Sequence, residues 1–301
     1  MSKSQFSRIG WLIAMVALLL FGSACGGGGS SIDVGSGGTG IISGAVTKGP
    51  VASATVNAYA VTGGQPGAPL GSATTDSNGN FTMPIGSYAG PVMLQVSAGT
   101  FRDEATGAMM TMAAGDVMAA VIPSLAGGTT VSGIQITPVT SMAQSRAQQM
   151  AGGMTEANIA AANTAMGNYF LVDDILHVLP MNPLVPSSGA NASPAARNYG
   201  MTLAAMSQYA KSLSMANTSA LVTAMMSDAS DGMMDGRRGS GPISMTMGGM
   251  MGSSTMQPNA GTSGLATAMS NFAMSPANLS GLTAADVAPL VEKMSSSNGR
   301  F

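Results

Sequence analysis

Leu70-Gly71-Ser72-Ala73-Thr74-Thr75-Asp76-Ser77-Asn78-Gly79-Asn80-Phe81-Thr82-Met83-Pro84-Ile85 carries the pattern on which the fold reading turns. Leu70–Thr75 and Asn80–Ile85 read as short strands. Asn78-Gly79 between them is a hairpin signal, because both residues tolerate positive φ. Working outward, Ile41–Thr47, Ala54–Val61 and Pro91–Ala98 repeat the pattern, and so do Met109–Met112, Val117–Ile122 and Val131–Ile136. Val92, Leu94 and Val96 recur at every second position, which buries one face of a strand. About seven or eight such runs over residues 41–137 predict a β-sandwich.

Beyond residue 137 the apolar period changes from two to 3.6. Thr137-Pro138 reads as an N-cap and first helical residue, with Val139, Met142 and Met150 on one side and Gly152 as the stop. Thr155 opens a second helix with Ile159, Ala162, Met166 and Phe170 on its stripe, and Ser193-Pro194 opens a third through Tyr199, Leu203, Met206 and Ala210. Leu221 to Met226 and Leu265 to Phe272 predict two more. Thr283 with Asp286 reads as a capping box for the last helix, which Pro289 bends. Residues 138–301 are therefore expected to form an all-helical domain, with a Met- and Gly-rich disordered insertion at about 227–261. The fold class expected is multidomain β + α: an N-terminal sandwich, then helices.

Charge is scarce. Asp, Glu, Lys and Arg make up 8% of the 301 residues, against about a quarter of an ordinary soluble domain. The net charge of -2 offers no basic surface for nucleic acid. Aromatics are 4%, so the cores must be built from Ala, Val, Leu and 28 Met. One cysteine, Cys25, excludes a disulfide within one molecule. Its setting is informative. Lys3 and Arg8 precede an apolar run from Trp11 to Phe21, then small Gly22, Ser23 and Ala24. That is the order of a secretory signal, with a run too short to span about 30 Å of hydrocarbon. Residues 1–24 are read as the signal, and 25–40 as Cys25 followed by a Gly/Ser tether reaching about 20 Å.

Leu18-Leu19-Leu20-Phe21-Gly22-Ser23-Ala24-Cys25 resembles the lipobox of bacterial lipoproteins, with Gly22 where that family usually has Leu. The resemblance implies an acylated Cys25 as mature first residue and a membrane held through the N-terminal lipid. Gly26 resembles the residues that permit outer-membrane sorting, so the expected address is the cell envelope, at the outer membrane. Gly44-Ala45-Val46, Pro50-Val51, Ala54-Thr55-Val56 and Thr75 to Phe81 resemble the carboxypeptidase regulatory-like domain over residues 41–100. That family implies a transthyretin-like sandwich acting as a spacer or binding module without catalytic residues. The expected partner is a protein or glycan of the envelope, with no cofactor.

Other patterns could carry chemistry, and each has a plainer reading beside it. Asp76-Ser77-Asn78-Gly79-Asn80 lacks the Gly and terminal Glu of a calcium loop, and reads as a turn capped by its own acceptors. Asp228, Asp231 and Asp235 recur at helical spacing as a candidate hard-cation site, but Gly232 and Gly236 favour a loop with Arg237 and Arg238 nearby. His177, after Asp173-Asp174, is the one histidine and falls short of a zinc site. No Gly-x-Ser-x-Gly elbow is present, while a dyad of carboxylates distant in sequence, and hence a hydrolase, stays open. Met245-Thr246-Met247-Gly248-Gly249-Met250-Met251 resembles the Met-rich motifs of copper-handling proteins. It implies Met245, Met247, Met250 and Met251 as soft ligands for copper(I), an alternative to the non-enzymatic binding or spacer role.

Overall fold

The computed structural model describes residues 38–247 and 252–301. Cys25 and the tether up to residue 37 lie outside them, as do Met250 and Met251. Within the described residues the fold is mixed β and α. Two sheets form its first part. One joins β1 (Gly40–Val46), β4 (Asn80–Gly86) and β9 (Thr130–Ile136) in the order β4-β1-β9. The other joins β2 (Thr55–Thr62), β3 (Gln65–Thr74), β5 (Gly90–Ser97) and β8 (Val117–Leu125) in the order β3-β2-β5-β8. A small hairpin of β6 (Thr100–Arg102) and β7 (Met109–Thr111) stands apart. β6 is a strand that apolar alternation did not reveal.

Ile42, Val46, Phe81, Met83 and Ile134 of the first sheet share one core with Val56, Leu94, Val96, Ala120 and Ile122 of the second. Period two explains this face. It does not explain the opposite face of the second sheet, where Val61, Met93 and Val121 pack against Ala147, Met154, Ile159 and Ala162 of the helical layer. Buried from both sides, β8 is a near-continuous apolar run instead of an alternating one.

The turn at Asn78-Gly79 departs from the expected hairpin. Its flanking strands belong to different sheets, so it is a corner between them. Asp76 Oδ1 accepts from the amides of Asn78 and Asn80, both at 2.8 Å, and Val46 donates to Gly79 across to β1. The amide of Asn80 foremost holds the Asp76 carboxyl below its ordinary pKa. The true two-residue hairpin is Gly63-Gly64, both at positive φ, pairing Thr62 with Gln65.

The helices follow their caps. α1 (Pro138–Gln149) starts at a capping box of Thr137 and Thr140, α2 (Glu156–Phe170) at Thr155 and α3 (Pro194–Ser212) at Ser193. α4 (Thr218–Ala229) starts at Asn217, and α5 (Leu265–Ala273) and α6 (Ala284–Ser296) follow, α6 from the capping box of Thr283 and Asp286. The segment expected to be disordered over 227–261 is folded where it is described. α4 runs into it, and two short hairpins follow: β10 (Arg237–Arg238) with β11 (Gly241–Pro242), and β12 (Ser244–Thr246) with β13 (Ser253–Thr255). The reason is its methionines: Met234, Met245, Met247 and Met256 are buried in the helical core, where an unbranched thioether fills irregular gaps.

β1 and β9 run parallel, with a register shift between Ile42 and Gly44. There the backbones approach so closely that a Cβ on Gly44 would lie 1.9 Å from the Ile134 carbonyl oxygen. Gly44→Ala is expected to destabilise the chain by about 3 kcal/mol in urea unfolding. Gly38→Ala, whose Cβ would meet nothing nearer than 3.6 Å, should stay within about 0.5 kcal/mol of the parent.

Candidate functional site

The most concentrated polar chemistry among the described residues lies where sheet and helices meet. Lys48 follows β1, Asp103 and Glu104 sit in the β6–β7 loop, Ser207 is on α3 and Thr218 opens α4. All five are buried: Lys48 is 2% exposed and Asp103, Glu104 and Ser207 are each 1% exposed. Lys48 Nζ donates to Glu104 Oε2 at 2.5 Å, to Ser207 Oγ at 2.5 Å and to the Leu203 carbonyl at 3.3 Å. Leu203 and Ser207 are one helical turn apart, so one face of α3 receives the ammonium. Asp103 Oδ1 accepts from the amides of Ala105 and Thr106 and from Thr106 Oγ1, while its Oδ2 accepts from Ser207 and Thr218.

An ammonium has three protons and all three are used here, so Lys48 is a fully bonded anchor. Burial pushes the Asp103 carboxyl up, but the Lys48 charge and the hydroxyls of Thr218, Ser207 and Thr106 outweigh it, and its pKa falls below the ordinary value. Asp103 is therefore ionised at neutral pH. Phe101 lies 5.8 Å from Lys48 Nζ, measured to the ring centroid. A second joint runs parallel: Asp116 accepts from Ser219 Oγ and, at 2.9 Å, from Thr223 Oγ1 of α4. Both carboxylates face the first turn of α4, the positive end of its dipole.

A cavity of about 230 Å³ opens beside this cluster. Ala45, Pro50, Leu179, Met181 and Leu203 make it largely apolar, and Glu104 reaches it from the buried side. Asn78 and Asn80 of the sheet corner and Asn182 of the connector supply polar edges.

The residues singled out in the sequence lie elsewhere. Asp174 Oδ2 and His177 Nδ1 are 2.7 Å apart, but both side chains are about half exposed and Asp174 also caps the amides of Leu176 and His177. This is a local turn beside an open groove that Asp173 and Ser124 also line. Asp228, Asp231 and Asp235 each accept backbone amides of the loop that follows α4. No group of three His, Cys, Asp or Glu suited to a metal occurs among the described residues. Met245 and Met247 have their side chains in the helical core. Compared with family models and with curated proteins, the chain finds no match.

Sequence reading missed Lys48, Glu104, Ser207 and Thr218 because the partners are far apart: 56 residues separate Lys48 from Glu104 and 159 separate it from Ser207. One signal was present. Asp103-Glu104 is one of two adjacent acidic pairs, with Asp173-Asp174, in a charge-poor chain.

Removing one partner of a buried ion pair leaves the other charge uncompensated, so Lys48→Met is expected to cost about 3–5 kcal/mol. Adding Glu104→Gln to that variant should recover part of the loss, measured as a double-mutant cycle in urea. Asp228 supplies a separate test. Burial, reinforced by Asp235 and Asp231, outweighs the amides of Gly236 and Arg237 and raises its carboxyl to about 7. Its Oδ2 is buried with no hydrogen-bond partner among the described residues. A raised carboxyl binds its proton more tightly in the folded chain. Its contribution is therefore complete below the ordinary value near 3.8 and disappears as pH rises through about 7. Asp228→Asn should flatten the fall in Tm between those two values, read by thermal melts across that range.

Proposed function

We propose that this chain is a non-enzymatic cell-envelope lipoprotein, anchored by acyl chains on Cys25 and acting as a binding or spacer module at the outer membrane. The two sheets that share one apolar core support a sandwich of the transthyretin-like, carboxypeptidase regulatory-like kind. The observation that carries the non-catalytic reading is the saturation of Lys48. A serine beside a lysine and two carboxylates is what a hydrolase would need, and Ser207 with Lys48 meets that description in composition. A lysine that activates serine must lose its proton, and here the ammonium is held by Glu104 with every N–H engaged. The cluster thus works as a clamp between layers.

Anchoring and rigidity fit together in this reading. The signal-like start and Gly/Ser tether favour attachment at one end, and no helix among the described residues is long and apolar enough to cross a membrane. A single acyl chain binds bilayers with K of only about 10⁴ per molar, so several chains on one cysteine give stable attachment. The copper(I) alternative has less behind it, since Met245 and Met247 pack inside the protein. Palmitate labelling with membrane fractionation tests the proposal. The parent chain is expected to be labelled and sediment with membranes, and Cys25→Ala to be unlabelled and soluble. Retention of Cys25→Ala in the membrane at the parent level would refute the anchor.

A further inference from the structure

We infer that the cavity beside Glu104 is a binding site for a small organic ammonium group. This deepens the binding half of the reading above and does not depend on the anchor.

Donors and acceptors in the cluster do not balance. Lys48 gives its three protons to Glu104 Oε2, Ser207 Oγ and Leu203 O. Asp103 accepts three hydrogen bonds on Oδ1 and has its own hydroxyl, that of Thr218, on Oδ2. Ser207 has one proton and lies within reach of both Asp103 Oδ2, at 2.7 Å, and Glu104 Oε2, at 2.6 Å. One hydroxyl cannot serve both at once. Glu104 is the residue left short. Only its Oε2 takes part in the network, and its Oε1 has no hydrogen-bond partner among the described residues. Glu104 is 1% exposed, so the little surface it keeps is that toward the cavity it lines.

Charge points the same way. Two carboxylates share one buried ammonium, leaving one negative charge in a largely apolar setting. Lys211 does not cancel it by direct pairing, because its Nζ donates to the Ala105 carbonyl. An unbalanced buried charge is costly unless a counter-charge reaches it. The open side of Glu104 is the cavity of about 230 Å³. An ammonium with a short aliphatic body fits each element: N–H donors for Oε1, a positive charge for the surplus carboxylate, and methylenes against Leu179, Pro180, Met181 and Leu203. Asn78, Asn80 and Asn182 offer amides to a polar substituent on that body.

The test is calorimetric titration of the full chain in detergent with n-propylammonium chloride, set against propan-1-ol at matched salt. Saturable binding of the ammonium, tighter than that of the alcohol by about tenfold or more, is expected. Glu104→Gln should abolish it. Because that substitution also loosens Lys48, a second variant is needed. Leu179 is 63% exposed at the cavity edge and lies outside the network. Leu179→Arg, with an unchanged melting curve, should weaken the ammonium by about tenfold through a competing cation. Equal heats for ammonium and alcohol, no saturable heat, or binding that survives both variants would overturn the inference and leave water as the occupant. Cys25→Ala separates the two proposals: a soluble variant that still binds propylammonium upholds the pocket, whatever fractionation says of the anchor.

Discussion

A lysine ammonium taken out of water at the junction of three chain segments is the constraint around which the two layers are arranged. The idealised cost of moving such an ion into a dry interior is large, and the protein meets it only by supplying partners from every side. Lys48 itself comes from the loop after β1, its partners come from the β6–β7 loop and α3, and Asp103 ties α4 to the same point. No one of these segments can be displaced without stranding a charge. The sheets and the helices that follow residue 137 are therefore tied to each other at this point. The apolar surfaces agree: Leu176 and Val222, from the helical part, are buried in the core between the sheets.

Methionine makes this arrangement possible in a chain with few aromatics. Met83 fills the core between the sheets, Met93 and Met154 the contact between sheet and helices, and Met142, Met166, Met206 and Met269 the helical core. A flexible thioether adapts to gaps that Leu or Phe would fill only with strain. The same adaptability explains why a stretch of Gly, Ser and Met folds at all. Its short hairpins bring little hydrogen bonding of their own, and the buried sulfurs of Met234, Met245 and Met256 hold them to the helices.

Local patterns in the sequence were legible and distant ones were not. Helix starts at Thr137, Thr155, Ser193 and Thr283 depend on a cap and its neighbours within four residues, and each stands where its residues placed it. Strands β1, β2, β4, β5, β8 and β9 follow apolar recurrence within one strand. Pairing does not. Asn78-Gly79 specifies a reversal of the chain but contains no information about which sheet receives the next strand. β3 was recognised only in its second half because Pro66, Gly67 and Pro69 read as breakers, yet it is a sheet edge, where proline does no harm. The buried cluster was invisible for the same reason: no window of sequence contains Lys48, Glu104 and Ser207 together.

The sparse charge then takes on a different meaning. In the sequence, scarcity bore on the exterior, which has no basic surface to offer nucleic acid. Several of the ionisable groups that are present lie inside. Lys48, Asp103, Glu104 and Asp228 are all buried, where the low dielectric makes each interaction stronger than it would be in water. Asp103 is satisfied at every oxygen and serves stability. Glu104 and Asp228 each keep an oxygen without a protein donor, and their surroundings separate them. Asp228 Oδ2 is enclosed, so the carboxyl answers by holding its proton. Glu104 borders open volume, so its deficit can be met from outside the chain. The same imbalance yields a proton-holding group in one place and a ligand-facing group in the other, and access to space decides which.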